Sequence, residues 1–451
     1  MRETGAIGSK ALETKGMTDR LREMMARRPF LKDVSIMLTG AAGGQMVSLA
    51  LSPILTRLYT PQEFGTLSIY SAVVAILVVV SSMRYELALP LAKTDEDAVN
   101  LMAVCLCVLA TTTLVLSAVA CLVPAAVMAR LWPIPGDQGP LKIYRLLLVL
   151  GYVCLGGYFV ALYVATRASA YRAIAKTRLA QGVVGPTTQI VMALFGLGAP
   201  GLLVGSILGQ SAGTVGLFNA MFAGRTHLLK AISWERMRAQ AFRYRQFPLV
   251  ASWAALIDAI GGSQLLYLLI GATYSARIAG FLFLAERVVS RPLAIIGTSI
   301  LQVFVGEAGR TVDSDPALLK RRFYQVVTRQ AALAAIWIVM ANLLAIFLFS
   351  TLFGKEWQDA VPYLQAISLA YLAQAAVLPV FHTLQILEKQ SMAAFWQIGR
   401  LILTVGVFFG ARSAGLAAPM VIAAYSVAQM AACIVLLVMM ARSIQQVQRT
   451  S

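Results

Sequence analysis

Charge is scarce in this 451-residue chain: 13% of residues are Asp, Glu, Lys or Arg, against a usual share of roughly 25% in soluble domains. Hydrophobic residues make up 59%, and mean hydropathy is +0.75. This balance excludes a soluble globular protein, and the length accommodates about a dozen membrane spans of roughly 20 residues each. Histidine is scarcer still, with His227 and His382 far apart. The five cysteines, Cys105, Cys107, Cys121, Cys154 and Cys433, all lie inside apolar runs, so neither a disulfide framework nor a zinc site is implied. HExxH, P-loop and GxSxG patterns are missing, which leaves metal, nucleotide and acyl-enzyme chemistry without a home and no cofactor to expect.

Apolar windows bounded by charge, Gly and Pro predict spans near 34–56, 67–85, 98–128, 143–165, 179–198 and 200–223. A second set follows near 249–271, 278–305, 328–353, 360–386, 391–411 and 415–441. The expected fold is an all-α polytopic membrane protein of about 12 transmembrane helices. Its parts are a basic tail (1–33), a six-helix bundle (34–223), an amphipathic linker (224–248), a second six-helix bundle (249–441) and a tail (442–451). The weakest boundary is GLGAPG, 196–201, and the third span is free to run on toward Pro133 and Pro135.

With these spans, 28 Lys and Arg fall on the side of the N-terminal tail, seven on the opposite side and three within spans. The bias predicts an inner-membrane protein with both termini cytoplasmic. The net charge of +18 is then mostly topology, with attraction to anionic inner-leaflet lipids as its by-product, and no nucleic-acid partner is expected. RRPFLK, Arg27 to Lys32, is similar to a twin-arginine export signal, but spans continue to the last residues given, so it reads as a basic anchor. Leu228 to Pro248 mixes basic, apolar and aromatic residues. It reads as an amphipathic helix on the inner leaflet joining the halves, with docking of a soluble partner as the alternative.

The halves echo one another. Tyr59 precedes Gly65 by six residues and Tyr274 precedes Gly280 by six, both pairs offset by 215. Upstream, GGQ at Gly43–Gln45 faces GGSQ at Gly261–Gln264. Parallel repeats of this kind occur in transporters that rock one bundle against the other around a central site.

LSPILTRLYTPQEFG followed by RYELALPL resembles the first hairpin of bacterial oligosaccharide-lipid flippases of the Wzx type, within the multidrug/oligosaccharidyl-lipid/polysaccharide exporter superfamily. ATRASAYRAIAKTRLAQ, YRQFPLVASWAALIDAIGGSQ and AGFLFLAERVVSRPLAIIGTSILQVF extend the resemblance to about residue 305; beyond it only hydropathy matches. Asp258 and Arg291 depart from the pattern, standing where an amide or small residue is expected. The resemblance implies two six-helix bundles related by an axis along the membrane normal, and a cavity opening alternately to each side. It implies a cargo too, a short glycan on undecaprenyl diphosphate moved outward for O-antigen, capsule or exopolysaccharide assembly. A polysaccharide polymerase and a chain-length regulator are then expected partners, with proton or sodium coupling.

A diphosphate crossing a membrane calls for arginine, whose planar fork holds phosphate oxygens bidentately. Arg287 is expected roughly 15 Å into its span, with Arg291 on the same face at i+4. Asp258, at a similar depth in the preceding span, is placed to pair with Arg287 or Arg400. Intramembrane ionisable residues are functional by default, and the alternative is an ion pair locking two helices. The substrate-binding candidates are therefore Arg287, Arg291, Arg400, Arg84 and Asp258. Glu286, Glu86 and Arg57 are the coupling or gating candidates: Glu286 for a proton or cation, Arg84–Glu86 for capture or gating at the cytoplasmic mouth, Arg57 for closing the outer rim. The plain alternative for Arg84–Glu86, and for Arg57 and Tyr59, is anchoring at the membrane interface. Gly40, Gly43 and Gly44 allow close helix approach or bending. Two rival functions stand beside the flippase: an ion-coupled multidrug-type antiporter, whose cavity would favour acids, and a membrane-embedded polymerase or ligase, which would need larger outer loops than these. A transporter rather than an enzyme is expected.

Overall fold

The computed structural model describes residues 29–124, 141–222, 226–312 and 315–450. The first half comprises α1 (Pro29–Ala50) and its continuation α2 (Ser52–Leu58), α3 (Pro61–Leu77), α4 (Asp95–Leu122), α5 (Leu141–Arg167) and α6 (Tyr171–Leu194), then α7 (Gly198–Ser211) with α8 (Thr214–Phe222). The linker is a 3-10 turn, Thr226–Ala231, and α9 (Trp234–Arg243). The second half begins with a π-turn, Phe247–Ala251, then α10 (Ser252–Gly261) and α11 (Ser263–Thr273). It continues with α12 (Ala276–Ala285), a π-turn at Glu286–Ser290, α13 (Arg291–Thr311), α14 (Pro316–Phe353), α15 (Val361–Val377), α16 (Gln390–Ser413) and α17 (Ala418–Thr450). No strand occurs among the described residues.

Among the described residues, nine helices are long and apolar enough to cross a membrane, ten if α10 and α11, bent by 52° at Gly262, count as one span. The other two predicted spans correspond to α1–α2 and to α6, whose Gln181, Gln189 and glycines dilute its apolarity. The protein is thus a multi-pass membrane protein. Large side chains such as Leu114 and Leu122 on α4 and Phe347 on α14 stand exposed, as hydrocarbon surroundings require. Helix starts are written locally. Thr60 and Glu63 form a capping box on α3, while Thr94 caps α4 ahead of three acidic residues that complement the helix dipole. The turn between α6 and α7 takes only Gly196 and Leu197 from GLGAPG, whose remaining residues open α7, and Gly196 and Gly198 adopt φ of +69° and +51°.

Small residues set the packing. A Cβ on Gly40 would stand 2.5 Å from the Ala175 carbonyl oxygen, and one on Gly44 would overlap that of Arg178, so α1 lies directly against α6. Between the halves α3 crosses α12 even more closely: a Cβ on Gly65 would overlap the Ala276 carbonyl, and one on Gly280 the Pro61 carbonyl. The residues of the sequence echo are therefore the two faces of one crossing. Caps repeat with the same offset, Thr60 on α3 and Ser275 on α12.

The linker lies on the first half. Asn100 Nδ2 donates to the Ala231 carbonyl and its Oδ1 accepts the Ser233 N–H, both at 3.0 Å, while Gln240 Nε2 donates to Asp97 at 2.7 Å. Arg236 pairs with Glu96, and Tyr85 Oη donates to the Ala241 carbonyl at 3.1 Å. The opposite side of α9 exposes Trp234 and Phe242.

Some expectations shift. Arg172, Lys176 and Arg178 sit within α6, because that helix begins eight residues before the predicted span. Tyr59, read as an interface ring, is buried and donates to the Gln189 carbonyl at 2.7 Å. The extension toward Pro133 and Pro135, and the tail before Pro29, lie outside the described residues.

Candidate functional site: a cavity between the halves

A cavity of about 600 Å³ separates the halves. On α1 its lining runs from Met37 to Leu49, about 18 Å at 1.5 Å per residue, and on α13 it reaches the exposed Thr298 and Gln302. Two turns beyond Leu49 the interface is sealed. Trp357, fully buried, donates its indole N–H to the Thr56 carbonyl at 2.9 Å and packs edge-on against Phe64 and Phe281. Arg57 Nη2 donates to the Thr351 carbonyl of α14 at 2.7 Å, so this arginine, given a rim-closing expectation, spans the two halves at the sealed end.

The π-turn Glu286–Ser290 organises the charged wall. There the Arg291 N–H donates to the Glu286 carbonyl, five residues back, which inserts an extra residue into the helical turn. Arg291 consequently stands with Glu286, at 3.7 Å between Nε and Oε1, rather than stacking on Arg287 as a regular helix predicts. The second carboxylate oxygen of Glu286 accepts from the Tyr267 hydroxyl. Arg287 points the other way and donates from Nη2 to Ser48 Oγ on α1 at 2.6 Å, bridging the cavity.

Arg178 joins them from α6, over the ring of Tyr158 at 5.6 Å. Counting it with a cytoplasmic loop hid it; its helical spacing to Gln181 and Gln189, both lining residues, was the signal to follow. The cavity thus gathers three arginines, with Glu286 the one carboxylate among its described lining residues, already paired. Burying such groups is costly unless ligands or partners satisfy them, so the excess positive charge suits an anion.

Four other expected cavity or gate residues are not in this lining. Asp258 pairs with Arg400 at 3.7 Å and accepts from Gln397 Nε2 at 3.1 Å, while Arg400 lies over the Trp396 ring at 4.9 Å. The bend at Gly262 turns α10 toward α16, so this ion pair ties two helices of the second half together instead of lining the cavity. Arg84 and Glu86 close on each other at 3.7 Å after Met83 and Arg84 adopt φ of +49° and +61°. Glu86 is 4% exposed and accepts from Ser82 Oγ at 2.5 Å, so it offers no free charge to the other half. Among the described residues, no cluster of His, Cys, Asp or Glu could hold a metal ion.

The family model of polysaccharide biosynthesis proteins matches residues 54–362, more than half the chain. The chain belongs to that family. The matched stretch runs from the seal through Arg178 and the π-turn to Trp357. Among solved structures, this family member is similar to an inward-facing multidrug resistance MATE family transporter of the MOP superfamily, with a TM-score of 0.60 at 13% identity, over 92% of this chain and 96% of that one. The multidrug transporter DinF-BH gives 0.61 at 14% identity, covering 92% and 95%. An outward-facing MATE transporter gives 0.56 at 16%, covering 93% and 96%. At such identities the likeness shows a shared two-lobed helical fold. A search of curated proteins finds no match.

Proposed function

We propose that the protein is a flippase that carries an undecaprenyl-diphosphate-linked oligosaccharide from the cytoplasmic to the outer face of the inner membrane, for O-antigen, capsule or exopolysaccharide assembly. The observation that carries this reading is the cavity's charge: Arg178, Arg287 and Arg291 converge on it while Glu286 is already paired. A diphosphate is a dense anion that needs charge-assisted donors wherever water is excluded. Family membership in polysaccharide biosynthesis supports a glycan cargo. With both termini cytoplasmic, as the distribution of basic residues favours, the seal at Thr56, Arg57 and Trp357 lies outermost and the cavity faces the cytoplasm, where the lipid-linked glycan is made. Alternating access then requires that seal to open while the Met37 end closes.

Glu286, held by Tyr267 and Arg291, is the carboxylate for ion coupling in this scheme. Likeness to multidrug transporters favours a second reading, an ion-coupled drug antiporter, but a lining rich in arginine repels the cationic drugs such a cavity would carry.

The test is flipping of a fluorescent undecaprenyl-diphosphate sugar in liposomes, with and without an imposed proton gradient. Arg287→Ala should slow flipping at least about tenfold, the scale of one lost hydrogen bond to a charged group. Undiminished flipping would remove Arg287 from the mechanism; wild-type protein that flips no glycolipid but exports a lipophilic cation would install the antiporter.

A further inference from the structure

The two walls of the cavity differ in chemistry. Glu286, Arg287 and Arg291 all belong to the second-half wall, whereas the first-half wall has Arg178 as its charged lining residue, engaged by the Tyr158 ring. Its polar residues without charge include Gln45 on α1, Ser71 on α3, Gln181 and Gln189 on α6, and Ser206 and Gln210 on α7, set among apolar side chains of the same wall. Arg178, Gln181 and Gln189 share one helical face, as do Ser206 and Gln210 on α7. Glycines bring these faces together, since a Cβ on Gly209 would stand 2.6 Å from Gly185 Cα and one on Gly182 would overlap the backbone of Gly44.

Most of these amides are oriented by a single bond. Gln181 Nε2 donates to the Gln210 carbonyl at 2.8 Å, Gln210 Nε2 to Ser206 Oγ at 2.9 Å, and Gln189 Nε2 to the Leu202 carbonyl at 3.1 Å. Among the described residues, the side-chain carbonyls of Gln189 and Gln210 accept no hydrogen bond, and the Gln45 side chain makes none. An amide held at one N–H keeps a second donor and an acceptor for a ligand, which is what a sugar hydroxyl or acetamido group requires.

We propose that the amide wall of the first half is a glycan subsite that selects an uncharged, hydroxyl- or acetamido-bearing sugar next to the diphosphate, which binds the arginine wall opposite. This rests on the flippase reading. A site built to hydrogen-bond hydroxyls rejects ligands that leave its polar groups unpaired. A sugar hydroxyl can satisfy both the donor and the acceptor that each amide keeps, whereas the carboxylate of an acidic sugar can only accept and would leave the amide carbonyl oxygens unpaired and facing its charge.

The test is calorimetric binding to the purified full-length protein of three soluble head groups: a neutral disaccharide diphosphate, its counterpart with a uronic acid as first sugar, and inorganic pyrophosphate. Wild type should bind the neutral disaccharide diphosphate about tenfold tighter than pyrophosphate, the scale of one or two neutral hydrogen bonds. The Gln45→Met/Gln210→Met double variant should lose that advantage and keep pyrophosphate affinity, which also reports an intact fold, whereas Arg287→Gln should weaken both ligands. The subsite is overturned if the double variant keeps the advantage, or if the acidic disaccharide binds as tightly as the neutral one. Should the double variant lose pyrophosphate as well, Gln45→Met alone decides, because that exposed side chain makes no hydrogen bond among the described residues: an unchanged ratio overturns the subsite and a reduced ratio supports it. Wild type that binds both neutral ligand and pyrophosphate equally rejects the subsite alone; wild type that binds neither rejects the flippase reading with it.

Discussion

The sealed end and the cavity belong to one interface but are made of opposite materials. At the seal backbone meets backbone, Gly65 against Ala276 and Gly280 against Pro61, with Trp357 filling the remaining space. In the cavity long side chains reach across a gap, as Arg287 does to Ser48. A backbone contact has one fitting geometry and nothing to adjust, so it is made or lost as a whole. A side-chain bond across a cavity can instead be exchanged for a bond to a ligand. On the proposed reading, the seal therefore governs which conformation is populated, and the cavity governs what is recognised.

The sharpest way to break this contrast is Gly280→Leu. The added side chain meets the Pro61 carbonyl and the Gly65 backbone, neither of which has a rotamer to yield, so the sealed state should fall about 10- to 100-fold in population, the scale of overpacking a tight contact. A cysteine pair replacing Arg57 and Thr351 should be bridged in the parent background by a bifunctional thiol reagent about as long as an arginine side chain, and should fail to be bridged in this variant. Next comes Glu286→Gln, which removes the paired carboxylate without changing its shape. Flipping should lose its response to a proton gradient while the ungraded rate changes less; a response that persists would move coupling to another group.

Trp357→Phe should act more gently. It keeps the ring packing but gives up the N–H bond to Thr56, about 1 kcal/mol, so spin labels across the seal should report the open state enriched about fivefold. The smallest change expected is from Asp258→Asn. Its partner distance of 3.7 Å and half-exposed carboxylate limit the loss to roughly 1 kcal/mol or less, so melting should barely move and flipping should stay unchanged. A clear fall in flipping would return Asp258 to the transport path.

How much of this was legible beforehand follows from where each constraint originates. The bilayer imposes length and apolarity on every span, so the helix positions could be read from hydropathy. The echo of Tyr59 and Gly65 in Tyr274 and Gly280 could be read as well, but that the two glycines meet in one crossing of α3 and α12 depends on tertiary packing. Arg178 was hidden because a rule about loops was applied to the first turns of a helix. The pairing of Arg291 with Glu286 was hidden because no residue type announces a π-turn, and one extra residue redirects every side chain near it. Asp258 and Arg400 illustrate the same limit: depth in the membrane follows from counting, but direction depends on the bend at Gly262, a tertiary property.

The docking of α9 has a consequence for how the molecule is divided. Asn100, Asp97 and Glu96 hold this helix to the first half, so the linker belongs to that half, and the joint between the halves shrinks to the few residues between Arg245 and Ser252. There the Ser252 N–H bonds to the Phe247 carbonyl in a π-turn. Severed at that joint, each piece would still carry one complete wall of the cavity and one face of the seal. The protein is in effect a pair of subunits written on a single polypeptide and joined by one short covalent tether.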